Sequence, residues 1–423
     1  MDLGCSRAIA VSKQPRFPRN TATFRIWHAT QEVVLNFFVM SSKPVSRRDS
    51  LALLMSAGCA SISGCGAGVV GSAWADTPLL NVDAVRIRAI VETESTRAGT
   101  QAVQFGMWVG RQEVLTMALG NSMTTVPATT NMHYRIGGIT WTFQSTLLLM
   151  LAEQGRIRLD DTIARWYPNL LSADKVTIRM LVANTAGYLD YVDDKTFLRD
   201  VLANPFRSFT PDELIAYSVQ GGLMGYAPGT SQKYSHTECI MLTQVIEKAT
   251  GKSMKSLYEI NILGPVGLRD TQFPLDQEIQ APVLHSYIED RGVYEDATFH
   301  NPSWAGGGAL TSNLHDLGKW GHVFGSGQLL SAASFREMIA SSVGKGQNRA
   351  DLYFAYGFIY ANGWLVQNPD INGYSGGFAY NLAAGVTIVV AATKRPRPSI
   401  DPAAIHILRE VIKYVTPATP LNF

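Results

Sequence analysis

Apolar and polar residues alternate with period two through "AVQFGMWVG" (102–110) and again through "EVLTMALG" (113–120), which predicts a hairpin of two half-buried strands. The stretch before them, "NVDAVRIRAIVETESTRAG" (81–99), reads as a helix. From about 138 to 345 helical stretches dominate, broken by Gly and Pro turns. In "TECIMLTQVIEKATG" (237–251), Leu242, Val245, Ile246 and Ala249 fall at i, i+3, i+4 and i+7, one apolar helix face. Strand signals return in "YFAYGFIYANGWLV" (353–366), "GGFAYNLAAG" (376–385) and "TIVVAATK" (387–394). "DPAAIHILREVIKYV" (401–415) then closes the chain with a helix, Asp401 as N-cap and Pro402 at its first position. Strands at both ends with helices between predict one structural unit of two lobes. A sheet built from both termini carries an inserted, mostly helical region, with a cleft between the lobes.

The N-terminal region follows another pattern. "SSKPVSRRDS" supplies a basic stretch with paired Arg47 and Arg48, and the next 25 residues, 51–75, carry no charge. They end in Ala73-Trp74-Ala75, the small-x-small spelling of an export cleavage site. The arginine pair after a serine is similar to a twin-arginine signal. "ISGC" at Cys65 resembles a lipoprotein box and makes Cys65 a lipidation candidate; "SAGC" at Cys59 is a weaker match. A membrane-spanning helix is the competing reading, since the length suffices, but Gly, Ser and Cys make the run a poor spanner. Residues 1–75 are therefore expected to be an export region, its true start at Met1 or Met40, and 76–423 a single domain. The expected location is periplasmic or extracellular, with anchoring to the cell envelope if Cys65 is lipidated.

Composition sharpens this only in part. Of 423 residues, 46% are hydrophobic and 17% charged, ample for a core. Residues 1–75 hold 8 Lys/Arg against 3 Asp/Glu, so the formal charge of +2 becomes −3 for the rest, which is no nucleic-acid footprint. Past residue 75 the only cysteine is Cys239, on the helical face just described, a structural thiol with no disulfide partner. No metal-ligand spacing or cofactor motif calls for a bound group.

The chemistry concentrates in "YRIGGITWTFQSTLLLMLAEQGRIRLDDTIARWYP" (134–168). A serine at the first turn of a helix gains from the helix's positive end, and a lysine three residues on lies on the same face. This segment resembles the S-x-x-K region of the serine β-lactamase and penicillin-binding-protein superfamily, especially its class C β-lactamase, D,D-peptidase and related esterase branch. Further segments are similar to that family in the same order: "IRMLVANTAGYLDY", "APGTSQKYSHTECIMLTQVIEKATGKSM", "GPVGLRDTQF", "AGGGALTSNLHDLGKW" and "NGYSGGFAYNLA". The resemblance spans about 85 to 415 and implies an α/β (α+β) fold of β-lactamase/transpeptidase type, an antiparallel sheet flanked by helices.

It also implies where the family's chemistry would sit. Gly138 stands at the nucleophile position and Trp141 at that of the activating lysine. Tyr234 matches the family's proton-transfer tyrosine, His236 replaces the usual asparagine, and Tyr374 replaces the His or Lys that opens the third motif, leaving Ser375 and Gly376. Glycine has no atom to acylate and indole no basic nitrogen, so covalent catalysis is lost at its usual place. Gly138, Trp141, Tyr234, His236, Tyr374, Ser375 and Gly376 are then candidate ligand-binding residues. Backbone N–H groups of Gly138 and of the Gly376–Phe378 strand are a candidate anion-binding pair. The expected function is a catalytically inactive binding or regulatory module at the cell envelope, taking a small-molecule, peptide or cell-wall-derived ligand. Two alternatives stay open: a hydrolase or transacylase with a displaced nucleophile, such as Ser375 (with His236 as its base) or Ser235, and a structural protein with a filled cleft. The space left beside Gly138 by Trp141 discriminates binding from filling.

Overall fold

The computed structural model describes residues 80–423, with the exception of 81, 291, 306–309, 343–348, 401 and 422. The expected export segment, Cys59 and Cys65, and the expected cap residue Asp401 lie outside the described residues. Among those described, no helix is long and apolar enough to cross a membrane.

The chain opens with helix α1 (Ala84–Ala98), capped by the Asp83 carboxylate, which accepts the N–H groups of Val85 and Arg86. The alternating segments follow as β1 (Thr100–Val109) and β2 (Gln112–Met123), then the short β3 (Val126–Pro127) and β4 (Tyr134–Arg135). The middle of the chain holds α2 (Thr140–Glu153), α3 (His236–Thr250) and, after β5 (Tyr287–Asp290), β6 (Val293–Asp296) and β7 (Thr311–Ser312), helix α4 (Leu314–Gly325). The chain returns to the sheet as β8 (Leu352–Phe354), β9 (Ile359–Ala361), β10 (Trp364–Gln367), β11 (Asp370–Ile371), β12 (Tyr374–Asn381) and β13 (Val386–Lys394). Helix α5 (Ala403–Val415) closes it, with Pro402 at the cap position, so the helix begins one residue later than the sequence pattern predicts.

The main sheet runs β3-β2-β1-β13-β12-β10-β9-β8, with β11 also on β12, and its pairings are antiparallel. β1 from the N-terminal side pairs directly with β13 from the C-terminal side, so both termini do build one sheet. The period-two pattern sets its two faces. Val103, Phe105 and Met107 join Val386, Ile388 and Val390 in a core beneath α1 and α5, which supply Ile87, Val91, Leu408 and Ile412. Ala102, Trp108, Phe378, Val389 and Ala391 face the other way, onto the helical lobe. There Phe143 of α2 stacks on Trp320 of α4 with centroids 3.9 Å apart, and the Trp320 indole N–H donates to Thr142 Oγ1 at 2.8 Å. This double contact fixes the start of α2, and with it Gly138 and Trp141, against the sheet.

Candidate functional site

A cleft of about 130 Å³ opens between the start of α2, the start of α3 and the end of β10. Gly137 and Gly138 form a 3₁₀ turn that leads into α2, and Trp141 follows on the first helical turn. The Trp141 indole is buried, its ring centroid 4.5 Å from that of Tyr234 and 5.6 Å from that of His236. Tyr234 also meets His236 edge-on at 5.0 Å and Phe354 at 6.0 Å. Its surface is only partly covered, yet burial of the ring holds its phenol well above its ordinary pKa. The phenol is therefore neutral at physiological pH.

His236 is the first residue of α3, and its Nδ1 lies 2.9 Å from Oδ2 of Asp190. A carboxylate only accepts, so Nδ1 carries a proton and donates it to Asp190. Asp190 is itself held in place by its loop. Its carboxylate accepts the Val192 N–H, and Thr237 Oγ1 donates to the neighbouring Leu189 carbonyl at 2.7 Å. Beneath the loop, the buried Glu238 carboxyl accepts three successive backbone N–H groups, from Ala186 (3.2 Å), Gly187 (2.8 Å) and Tyr188 (3.2 Å). Burial outweighs those donors and pushes the Glu238 pKa up to about 8.

The other wall of the cleft is a strap formed by residues 367–371. β10 and β11 lie along one edge of β12 and turn back at Asn372-Gly373, both with positive φ (46° and 83°), the requirement of a type I′ hairpin turn. The strap presses on three glycines. A Cβ at Gly137 would lie 2.7 Å from Pro369 Cβ, one at Gly138 2.7 Å from Gln367 Oε1, and one at Gly376 2.5 Å from Pro369 Cγ. The Gln367 carboxamide thus fills the space beside Gly138, and its Nε2 donates to the Gly357 carbonyl. The Gly376 N–H donates to the Pro369 carbonyl at 2.7 Å.

Several expected site residues are therefore elsewhere. Gly138, Trp141, Tyr234 and His236 come together in the cleft. Tyr374 does not: it is buried under the strap, and its hydroxyl donates to the Leu284 carbonyl at 2.6 Å. Ser375, one residue on, points through the sheet to the other side, where its Oγ accepts the Ala404 N–H at 3.1 Å. Strand alternation makes this orientation, and it removes Ser375 both as a ligand contact and as a nucleophile partnered with His236. Gly376 contributes no anion-binding N–H, because the strap has taken it. Ser235 is buried outside the cleft wall.

Sequence reasoning missed Gln367, Pro369, Asp190, Trp304 and Phe354, all in the wall. Asn-Gly between apolar runs at 372–373 was the available signal for the strap. Among the described residues of the wall there is no serine, threonine or cysteine. The described residues also contain no group of His, Cys, Asp and Glu side chains able to hold a metal ion.

Comparison with known proteins places this geometry in context. A family profile described as Beta-lactamase matches residues 87–412. Penicillin-binding protein 4* of Bacillus subtilis is 25% identical over 276 residues, 60% of this chain and 57% of that protein. A D-aminopeptidase of Cereibacter sphaeroides is 25% identical over 150 residues, 33% of this chain but only 27% of the relative. The chain thus spans about half or less of these relatives' lengths. A D-stereospecific amidohydrolase from Streptomyces sp. superposes with a TM-score of 0.69 over 80% of this chain and 100% of its own, at 24% identity, a likeness of fold.

Proposed function

The chain belongs to the beta-lactamase family, and from that premise we propose that it is an exported binding module of this serine-hydrolase fold, working at the cell envelope without acyl-enzyme chemistry. One observation carries the reading. The position from which the family's nucleophile would project has no side chain, and the Gln367 carboxamide occupies its space. A nucleophile there would need the oxygen of that carboxamide to leave.

The rest of the cleft supports the same reading. Trp141 occupies the place of the activating amine and offers no base. Tyr234 is held neutral by burial, and the Lys233 ammonium is 3.0 Å from the Asp193 carboxylate. With Ser375 turned to the far face, the displaced-nucleophile reading has no serine, threonine or cysteine among the described residues of the cleft wall to use. The cleft is small but not filled, which favours binding over a purely structural role. Its ligand is then a small molecule or the end of a peptide or cell-wall fragment.

The test is turnover of chromogenic substrates, an activated p-nitrophenyl ester and a D-amino acid p-nitroanilide. The expected release rate is that of buffer alone. Saturable release that disappears in His236→Ala would restore a displaced-nucleophile hydrolase.

A further inference from the structure

The walls left open by the strap have a distinct chemistry. The partly exposed rings of Tyr234 and Trp304 line the cleft together with the buried rings of Trp141 and Phe354, and the His236 ring is 6.3 Å from that of Trp304. Aromatic faces carry negative quadrupole potential and attract cations within about 6 Å of the ring centre. Three carboxylates, Asp190, Asp193 and Asp370, lie in the same wall. Among the described wall residues the one lysine is Lys233, held by Asp193, and Lys394 from outside the wall neutralises Asp370 at 3.1 Å. Among the described residues Asp190 has no lysine or arginine partner; its carboxylate is buried and meets Nδ1 of His236 at 2.9 Å. Counting Asp, Glu, Lys and Arg side chains alone, the balance is one net negative charge in a small aromatic cleft.

We propose that this cleft binds a small organic ammonium ion, its charge over the rings of Tyr234 and Trp304 and its N–H groups directed toward the His236–Asp190 pair. The proposal deepens the binding-module reading and rests on it. A cleft of about 130 Å³ has room for a short alkyl or benzyl group behind the charge, since a cavity of about 150 Å³ takes up benzene. Anionic ligands are disfavoured, because the Gly376 N–H is already bonded to Pro369 and the nearby lysine is paired.

The experiment is a tryptophan-fluorescence titration of the purified protein with n-butylammonium chloride, n-butanol and sodium butyrate at equal ionic strength. Saturable binding of the ammonium is expected, at least tenfold tighter than butanol, with none of butyrate. Asp190→Asn should bring the ammonium down to the level of butanol. Trp304→Leu, at a partly buried ring, should weaken the ammonium at least threefold while changing butanol less, and it serves if the Asp190 variant does not fold. Equal affinity for butanol, tighter binding of butyrate, or no effect of the folded variant overturns the proposal. The titration is blind to covalent chemistry. Ammonium selectivity accompanied by substrate turnover would overturn the inactive reading alone, and absence of both would overturn this proposal alone.

Discussion

At Gly138 one missing side chain and one intruding one act together. Restoring a serine in this 3₁₀ turn would favour helical geometry by at most roughly 0.5 kcal/mol relative to glycine. However, its Cβ would stand 2.7 Å from Gln367 Oε1, so the carboxamide must rotate away from Gly357 first. Trp141→Lys removes a fully buried indole. Complete truncation of such a ring costs about 3–5 kcal/mol, and the lysine stem refills part of the space. Gly138→Ser/Trp141→Lys is thus expected to fold with reduced stability and to acylate with a penicillin barely or not at all. Adding Gln367→Ala should raise the acylation rate at least tenfold, read by intact-mass kinetics. Equal rates in the double and triple variants would show that Gln367 is not what closes the site. Gly138 and Trp141 were legible from the sequence because a nucleophile and its base sit in one short segment. Gln367 was not, because nothing local distinguishes a glutamine that plugs a site from one that ends a strand.

At the scale of elements, two connections shape the cleft. The 184–190 loop hangs from Glu238 at the first turn of α3, and the hairpin at Asn372-Gly373 lays the strap along β12. Glu238 gives the loop a pH dependence whose sign follows from its raised pKa. The folded state holds the Glu238 proton up to about 8, whereas an unfolded glutamate releases it near 4.3. Between those values the native state binds more proton, so this group's stabilisation is full below about pH 4.3 and is lost as pH rises toward 8. Urea unfolding at pH 5, 6, 7 and 8 should show a decline of up to roughly 1 kcal/mol per pH unit from this site. Glu238→Gln should flatten that decline and cost about 1–3 kcal/mol at pH 5, because its amide turns a donor toward one of the loop N–H groups. A variant with the same pH slope as the parent would contradict the assignment. Strand and helix periods made the elements themselves readable. The side on which Ser375 lies was not, since a shift of one residue along a strand reverses every side chain. The Asp190–His236 pair was hidden because its members are far apart in sequence and meet only through the loop that Glu238 holds.

For the whole molecule, the order of family-like segments specified the architecture, and β1 against β13 closes it as that order requires. Family membership predicts a cleft in this position but not what remains in it, because the strap, the plug and the aromatic wall are long-range packing. The proposed export and the proposed loss of covalent chemistry meet in one measurement: the intact mass of the protein recovered from the cell envelope, before and after incubation with a penicillin. The predicted spectrum shows a chain beginning at Asp76, or a lipid-modified one beginning at Cys65, with no change in mass on incubation. A stoichiometric increase by one acyl group, whichever residue carries it, would contradict a beta-lactamase-family cleft that binds without reacting.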